Sequence, residues 1–130
     1  MPSIIGTWRL VGAAAQDSSG RSLPPPYSGH GMGRVTFTVD GRMMSVVCDA
    51  RKAMPPGMQR DYSSYCGNYT FDGARLVTRV DAASDPARIG TDQVREVRFD
   101  GDRMVLRPPP RPSVAGTEQR ELTWERIAAE

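Results

Sequence analysis

The sequence predicts an all-β fold, an eight-stranded up-and-down antiparallel barrel. Three Asp-Gly turns, at 40–41, 72–73 and 100–101, are each flanked by alternating or β-rich segments, the strongest short-range signal of a β-hairpin. No ten-residue segment carries a convincing helical stripe of apolar residues. Each turn joins two strands, and one further strand lies towards each end of the chain. The expected strands are 3–15, 34–39, 42–49, 64–71, 75–81, 92–99, 103–107 and 118–127.

The connections between these strands alternate in length. The Asp-Gly turns are short, and the connections between them are long. Successive connections of an up-and-down meander lie at opposite ends, so the tight turns would form one end and the long loops the other. Eight strands can close on themselves and remove both sheet edges. A two-sheet sandwich explains the strand count but not this alternation. The long connections are 16–33, 50–63, 82–91 and 108–117.

Length and charge limit the classes of function. The chain of 130 residues has room for one domain, and we assign 1–130 to a single barrel. Seventeen basic and fifteen acidic side chains leave a net charge of +2, too balanced to indicate a nucleic-acid or membrane-surface partner. No apolar run approaches the ~20 residues of a membrane helix. The first residues lack the pattern of a secretory signal, so we expect a cytoplasmic protein.

The cysteines and the single histidine do not indicate a metal centre. Cys48 and Cys66 lack the spacing of metal ligands, and His30 is the one histidine in the sequence. We therefore predict neither a metal nor a cofactor. The two cysteines fall on strands expected to be adjacent, where they could be cross-strand neighbours, and we expect thiols in a reducing cytoplasm.

The turn at Asp40-Gly41 determines which side chains face inward. A three-residue loop with Gly41 in the left-handed region pairs Phe37 with Met43, and alternation along each strand then assigns the rest. The resulting inward face is mostly apolar. Its expected members are Trp8, Leu10, Gly12, Ala14, Val35, Phe37, Met43, Ser45, Val47, Tyr65, Gly67, Tyr69, Leu76, Thr78, Val80, Gln93, Arg95, Val97, Phe99, Met104, Leu106, Arg120, Leu122, Trp124 and Arg126.

Five segments occur in an order that resembles one known family. They are GTWRLV at 6–11, DGRM at 40–43, YCGNY at 65–69, GTDQVR at 90–95 and LTWER at 122–126. Together they resemble the bacterial and fungal lipocalin-like domain family over nearly the full length. The resemblance implies a calycin-type barrel, and some related barrels act in natural-product biosynthesis.

The first and last of these segments carry the lipocalin signature. Gly6-Thr7-Trp8 looks like the Gly-x-Trp motif, and Arg126 is the arginine that usually stacks on that tryptophan. We expect this pair to close the barrel floor in a structural role. Many members of the family carry a histidine near Thr78 and a longer helical segment before Tyr65. This chain has neither, so a histidine-based activity is not carried over.

Arg95 is the inward residue that most directly suggests a ligand. It follows Gln93 on the same face, near the loop end of its strand. A charge inside an apolar barrel requires a partner. That partner is either a protein carboxylate, such as Asp81 or Asp85, or an anionic ligand group held by two hydrogen bonds.

Five further residues are candidates for the pocket beside Arg95 and Gln93. Tyr65 faces inward, and Tyr27 and Tyr62 lie in mouth loops, where a ring with a hydroxyl suits an aromatic ligand. Arg120 faces inward near the rim, where simple solvation also accounts for it. Phe37 contributes apolar lining.

Three functions are compatible with these residues. The first is binding of a small, largely apolar molecule with an acidic or phenolic group. The second is an enzyme that uses the same cavity for cyclisation, isomerisation or hydration of a biosynthetic intermediate, with His30 and Arg95 as catalytic candidates. His30 lies in a glycine-rich loop, where a solvated side chain is the alternative. The third is a packed interaction module, which the inward Gln93 and Arg95 disfavour. We predict a small-molecule partner and leave the choice between binder and enzyme open.

Overall fold

The computed structural model describes residues 3–113 and 116–129. Its strands are β1 (Gly6–Gln16), β2 (Ser22–Leu23), β3 (Gly31–Phe37), β4 (Arg42–Asp49), β5 (Tyr62–Phe71), β6 (Arg75–Ala83), β7 (Asp92–Asp100), β8 (Arg103–Arg107), β9 (Arg111–Ser113) and β10 (Gly116–Ala128). Neighbours pair in the order β1-β3-β4-β5-β6-β7-β8-β10, and β10 pairs back onto β1. The predicted eight-stranded closed barrel is therefore confirmed, and the sandwich is excluded. The short strands β2 and β9 pair with the mouth ends of β1 and β10.

The three Asp-Gly turns lie at one end of the barrel, as the alternation of connection lengths predicts. The Gly41 carbonyl accepts a hydrogen bond from the Tyr69 amide at 2.9 Å. The Ala74 carbonyl accepts one from the Val97 amide at 2.7 Å. Adjacent turns are thus bonded to the neighbouring hairpin, which closes this end. The long connections surround the other end, and one of them contains the short 3-10 helix Pro86–Arg88.

The predicted inward face is correct along most strands, and β1 is the exception. Phe37 pairs with Met43, which is the expected hairpin register. The register of β1 against β10 shifts between Leu10 and Gly12, and such a bulge reverses the alternation. Ala15 is consequently buried, whereas Ala14 is exposed. The prediction that Ala14 faces inward is wrong because strict alternation takes no account of a bulge.

Trp8 and Arg126 seal the closed end from β1 and β10. They are direct cross-strand partners, and the guanidinium carbon of Arg126 lies 4.2 Å from the ring centroid of Trp8. The Trp8 indole N–H donates to the Ile4 carbonyl at 3.0 Å. Arg126 also donates to the carbonyls of Ser3 and Ile5. The arginine therefore ties the first residues of the chain across the barrel floor, as expected for a structural pair.

Gly6, the first residue of β1, occupies a position where no side chain fits. Its φ of +126° lies in a region that L-residues rarely adopt. A Cβ atom at this position would lie 2.4 Å from the Ala128 carbonyl oxygen and 2.6 Å from the Arg126 guanidinium. The glycine of the Gly-x-Trp motif thus makes room for the arginine that covers the tryptophan.

The closed half of the barrel is filled by a packed core. Phe37 meets the Tyr69 ring edge-on at 5.2 Å between centroids. The Tyr69 hydroxyl donates to the Thr38 carbonyl at 2.7 Å. The buried core of the barrel as a whole includes Trp8, Leu10, Phe37, Leu76, Val97 and Met104, and it continues towards the open half through Val35, Met43, Val47, Leu106 and Trp124.

Cys48 and Cys66 are free thiols on adjacent strands. The register pairs Cys66 with Met44 and Cys48 with Tyr62. The prediction that the two cysteines are cross-strand neighbours is therefore wrong. The long connection between β4 and β5 does not determine how the strands align, so the sequence left this register undetermined.

Asp49 anchors the mouth loop 50–61 at the end of β4. Its carboxylate is fully buried and accepts bonds from the Arg51 guanidinium at 3.0 and 2.6 Å. Arg60 donates to the backbone carbonyls of Asp49 and Arg51. These bonds hold a loop without regular structure against the barrel rim.

The barrel floor should respond strongly to truncation. Trp8→Ala removes a fully buried indole and should lower the free energy of unfolding by about 3–5 kcal/mol. Arg126→Ala loses the stacking and two hydrogen bonds and should cost at least about 1 kcal/mol. Chemical denaturation measures both changes. Exposed Arg75 is the matched control, and Arg75→Ala should stay within about 0.5 kcal/mol of wild type. An Arg126→Ala variant as stable as this control would refute the role of the pair.

The buried carboxylate of Asp49 should make stability depend on pH. Hydrogen bonds from Arg51 lower its pKa from 3.8 to about 2. A carboxyl group whose pKa is depressed by folding stabilises the protein above its unfolded pKa, and this contribution is lost as the pH falls through the folded value. The melting temperature of wild type should therefore exceed that of Asp49→Asn at neutral pH, and the difference between the two should decrease from about pH 4 towards pH 2. Asp102→Asn in an exposed turn is the control. A gap that does not change with pH would contradict the assignment.

Candidate functional site

The open half of the barrel contains a cavity of about 240 Å³ that reaches the mouth loops. Its deep part is apolar, and its upper part is charged and polar. The apolar lining consists of Val35, Met43, Val47, Leu106, Leu122 and Trp124. The upper lining includes Tyr27, Ser63, Tyr65, Arg88, Gln93, Arg95, Arg111, Glu118 and Arg120, with Pro26, Pro108 and Pro109 at the rim.

Arg95 reaches this cavity from β7. Its guanidinium donates to the Val94 carbonyl at 2.7 Å and to the Gln93 side-chain oxygen at 3.3 Å. Neither acceptor carries a charge. The two protein carboxylates expected as partners are bonded elsewhere, since Asp81 pairs with Arg42 on the outer wall and Asp85 caps the 3-10 helix after β6. Within residues 3–113 and 116–129, no ion pair neutralises Arg95.

Arg88 is a second cation of the cavity, and the sequence did not identify it. It ends the short helix Pro86–Arg88, and its guanidinium carbon lies 5.6 Å from the ring centroid of Tyr65. That distance lies within the range of a cation–π contact. One guanidinium nitrogen donates to the Ser63 hydroxyl at 3.3 Å. Its position in a long mouth loop was the one signal that the sequence offered. That signal was not sufficient, because the sequence of a loop does not show where a side chain points.

Glu118 joins two further arginines at the rim. The same carboxylate oxygen accepts from Arg111 at 2.9 Å and from Arg120 at 2.8 Å. Burial alone would raise the pKa of Glu118, but the two guanidinium hydrogen bonds outweigh it and the pKa lies below its usual value. Glu118 is therefore ionised at neutral pH. Arg120 is therefore paired with Glu118, and its side chain is also partly exposed to solvent.

Tyr27 lines the cavity from the first mouth loop in a strained conformation. Both Tyr27 and Ser28 have positive φ, of 57° and 55°. Two consecutive non-glycine residues in the left-handed region are uncommon, and such strain is concentrated at functional sites. Burial raises the pKa of the Tyr27 hydroxyl, and the neighbouring Arg120 and Arg88 offset part of that rise. Tyr27 therefore presents a protonated hydroxyl beside the arginines.

Three sequence-predicted residues lie outside the cavity. Phe37 is buried below it in the core, and Tyr62 is exposed on the outer wall beside Ser64. His30 is exposed at the start of β3, where its carbonyl accepts a bond from the Ala50 amide. The structure instead brings together Arg95, Gln93, Tyr65, Tyr27 and Arg120, and adds Arg88, Arg111 and Glu118 to them.

No metal-binding cluster is formed by the part of the chain that the structure describes. Among those residues no three His, Cys, Asp or Glu side chains are placed to hold an ion. The cavity cations are arginines, which bind anionic groups rather than metals.

A family model for the lipocalin-like domain matches residues 5–127. The chain belongs to this lipocalin-like family. The match agrees with the closed barrel and spans the strands that carry the cavity wall. Barrels of eight strands are wide enough to hold one small ligand, as lipocalins do. No significant match to this lipocalin-like protein was found among curated proteins or among solved structures. Within the described residues, no helix has the length and hydropathy to cross a membrane.

Proposed function

We propose that the barrel binds a small, largely apolar organic molecule with an acidic or phenolic group. This proposal rests on Arg95, a cation on the cavity wall. Among the described residues, its hydrogen-bond acceptors are all uncharged. A guanidinium in such a site gains a charge-assisted bidentate bond when an anionic group arrives. The ligand's apolar part would then occupy the deep end of the cavity.

The volume of the cavity limits the size of that apolar part. Ligand pockets commonly enclose about 300–1,000 Å³, and an apolar cavity of about 150 Å³ holds benzene. A volume of about 240 Å³ therefore suits a body of one or two rings. The acidic group would lie higher, between Arg95 and the mouth.

The positions of the hydrogen-bonding groups favour binding over catalysis. An enzyme that cyclises, isomerises or hydrates its substrate needs a group that moves a proton at the reacting atom. His30 lies outside the cavity, and Tyr27 holds its proton because burial raises its pKa. Glu118 is held by two arginines, which weakens it as a base. Catalysis is therefore the second candidate, and the test below detects it directly.

We also propose a reducing, cytoplasmic location. It is supported by the two free thiols on the barrel wall, since secreted proteins more often pair their cysteines.

Arg95 should control the affinity for an aromatic carboxylate. We expect 2-naphthoate to raise the melting temperature of wild type more than its uncharged methyl ester does. Arg95→Ala should weaken 2-naphthoate binding about tenfold or more, because a charge-assisted hydrogen bond contributes roughly 1.5–3 kcal/mol. Arg95→Lys should restore part of the affinity, because lysine keeps the charge but lacks the planar fork. Titration calorimetry measures the three dissociation constants.

Arg34 provides a matched control for this experiment. Its guanidinium also donates to the carbonyl of the preceding residue, at 2.8 Å, but it lies on the outer wall. Arg34→Ala should leave the dissociation constant unchanged. If Arg95→Ala binds the carboxylate as tightly as this control, the proposed site is wrong. Mass spectrometry and chromatography after incubation would reveal a changed or isomerised compound, and a product abolished by Arg95→Ala would establish an enzyme instead.

A further inference from the structure

The cavity wall carries more positive charge than one anionic group would neutralise. Four arginines line it, together with a single carboxylate among the residues that the structure describes. That balance leaves three positive charges around one small volume. The lining arginines are Arg88, Arg95, Arg111 and Arg120, and the carboxylate is Glu118.

Glu118 is already committed to the rim arginines. Its side chain is 12% exposed, and one of its oxygens accepts from both Arg111 and Arg120. A single negative charge shared by two guanidinium groups leaves one of them uncompensated. Glu118 therefore pairs with the rim arginines and makes no ion pair with Arg88 or Arg95 among the described residues.

Arg88 and Arg95 are oriented by groups that do not neutralise them. The Ser63 hydroxyl and the Tyr65 ring hold Arg88, while the Val94 carbonyl and the amide of Gln93 hold Arg95. Uncharged acceptors direct a guanidinium without cancelling its charge, and partial burial makes the uncancelled charge costly. Both arginines are partly buried.

The cations approach from separate elements of the wall. Arg95 lies on β7, Arg88 on the connection between β6 and β7, and Arg120 on β10, which β8 separates from β7. A second anionic oxygen on the ligand would thus find a guanidinium different from the one that holds the first.

We infer that the ligand carries two negative charges on its small apolar body, as two carboxylates or as one phosphate monoester. This inference rests on the proposed function, since it concerns the same cavity. A single anionic group leaves two positive charges on the wall, whereas a doubly charged ligand engages both Arg88 and Arg95.

Four probes with one aromatic ring test this inference by titration calorimetry. Benzyl alcohol is neutral, benzenesulfonate carries one charge, and isophthalate and phenyl phosphate carry two at pH 8. We expect at least one of the two dianions to bind about tenfold or more tightly than benzenesulfonate. Tight binding of isophthalate alone would indicate two separated carboxylates, and tight binding of phenyl phosphate alone a phosphate group.

The charge of one probe can also be changed without changing the protein. Phenyl phosphate loses its second charge near pH 6, so its affinity relative to benzenesulfonate should fall between pH 8 and pH 5. Benzenesulfonate keeps one charge at both pH values and reports any titration of the protein itself. This comparison requires no variant and stays valid if a substitution impairs folding.

Substitutions locate the second charge. Arg88→Met should reduce the preference for the dianion over benzenesulfonate to about threefold or less, and Arg34→Met on the outer wall should leave it unchanged. The inference is overturned if benzenesulfonate binds as tightly as both dianions, or if Arg88→Met retains the full preference. The proposed function itself fails in a different way, with no anion binding more tightly than benzyl alcohol.

Discussion

The pairing of β10 with β1 is the interaction on which the rest of the structure depends. It converts a meander with two open edges into a closed wall, so that every inward side chain faces a common interior. The meander already places the tight turns at one end and the long connections at the other, and closure makes these two ends a floor and a mouth. The packed floor and the open mouth are consequences of this one pairing, and Arg126, stacked on Trp8, seals it where the two strands meet.

The size and polarity of the interior side chains change along the barrel axis. Tryptophan, phenylalanine and methionine side chains fill the closed half, where an arginine serves only to cover Trp8 from below. Above Trp124 and Leu106 the side chains are smaller or polar, and a volume remains open. Charges can persist in that half because the arginines stay partly exposed at the mouth. Neutral acceptors orient Arg88 and Arg95, whereas Glu118 pairs with Arg111 and Arg120. The same partial burial strengthens their attraction for an anionic group beyond what a surface arginine exerts.

The candidate site was partly foreseeable from alternation along the strands. Arg95, Gln93 and Tyr65 could be assigned to the interior because period-two alternation from a known turn determines the face of each strand residue. The same alternation assigns Glu118 inward, since it lies two residues before Arg120 on β10, but its place between two arginines depends on the pairing of β10 with β9. Arg88 could not be identified in this way, because it lies in a loop whose backbone geometry has no period.

The sequence by itself determined the fold class, the hairpins and the strand register at the Gly41 turn. It also determined the Trp8–Arg126 pair at the floor and the arginines that the strands carry inward. Local turn chemistry and alternation along the strands specify these features. The tertiary structure alone decided the bulge that exchanges Ala14 for Ala15, the alignment of β4 with β5, and the placement of His30 outside the cavity. Only the fold could show that Asp81 and Asp85 are bonded elsewhere while Arg88 and Arg95 share one cavity. The physical reason is that charge compensation is a property of distances between residues remote in the chain, and these distances exist only once the barrel has closed.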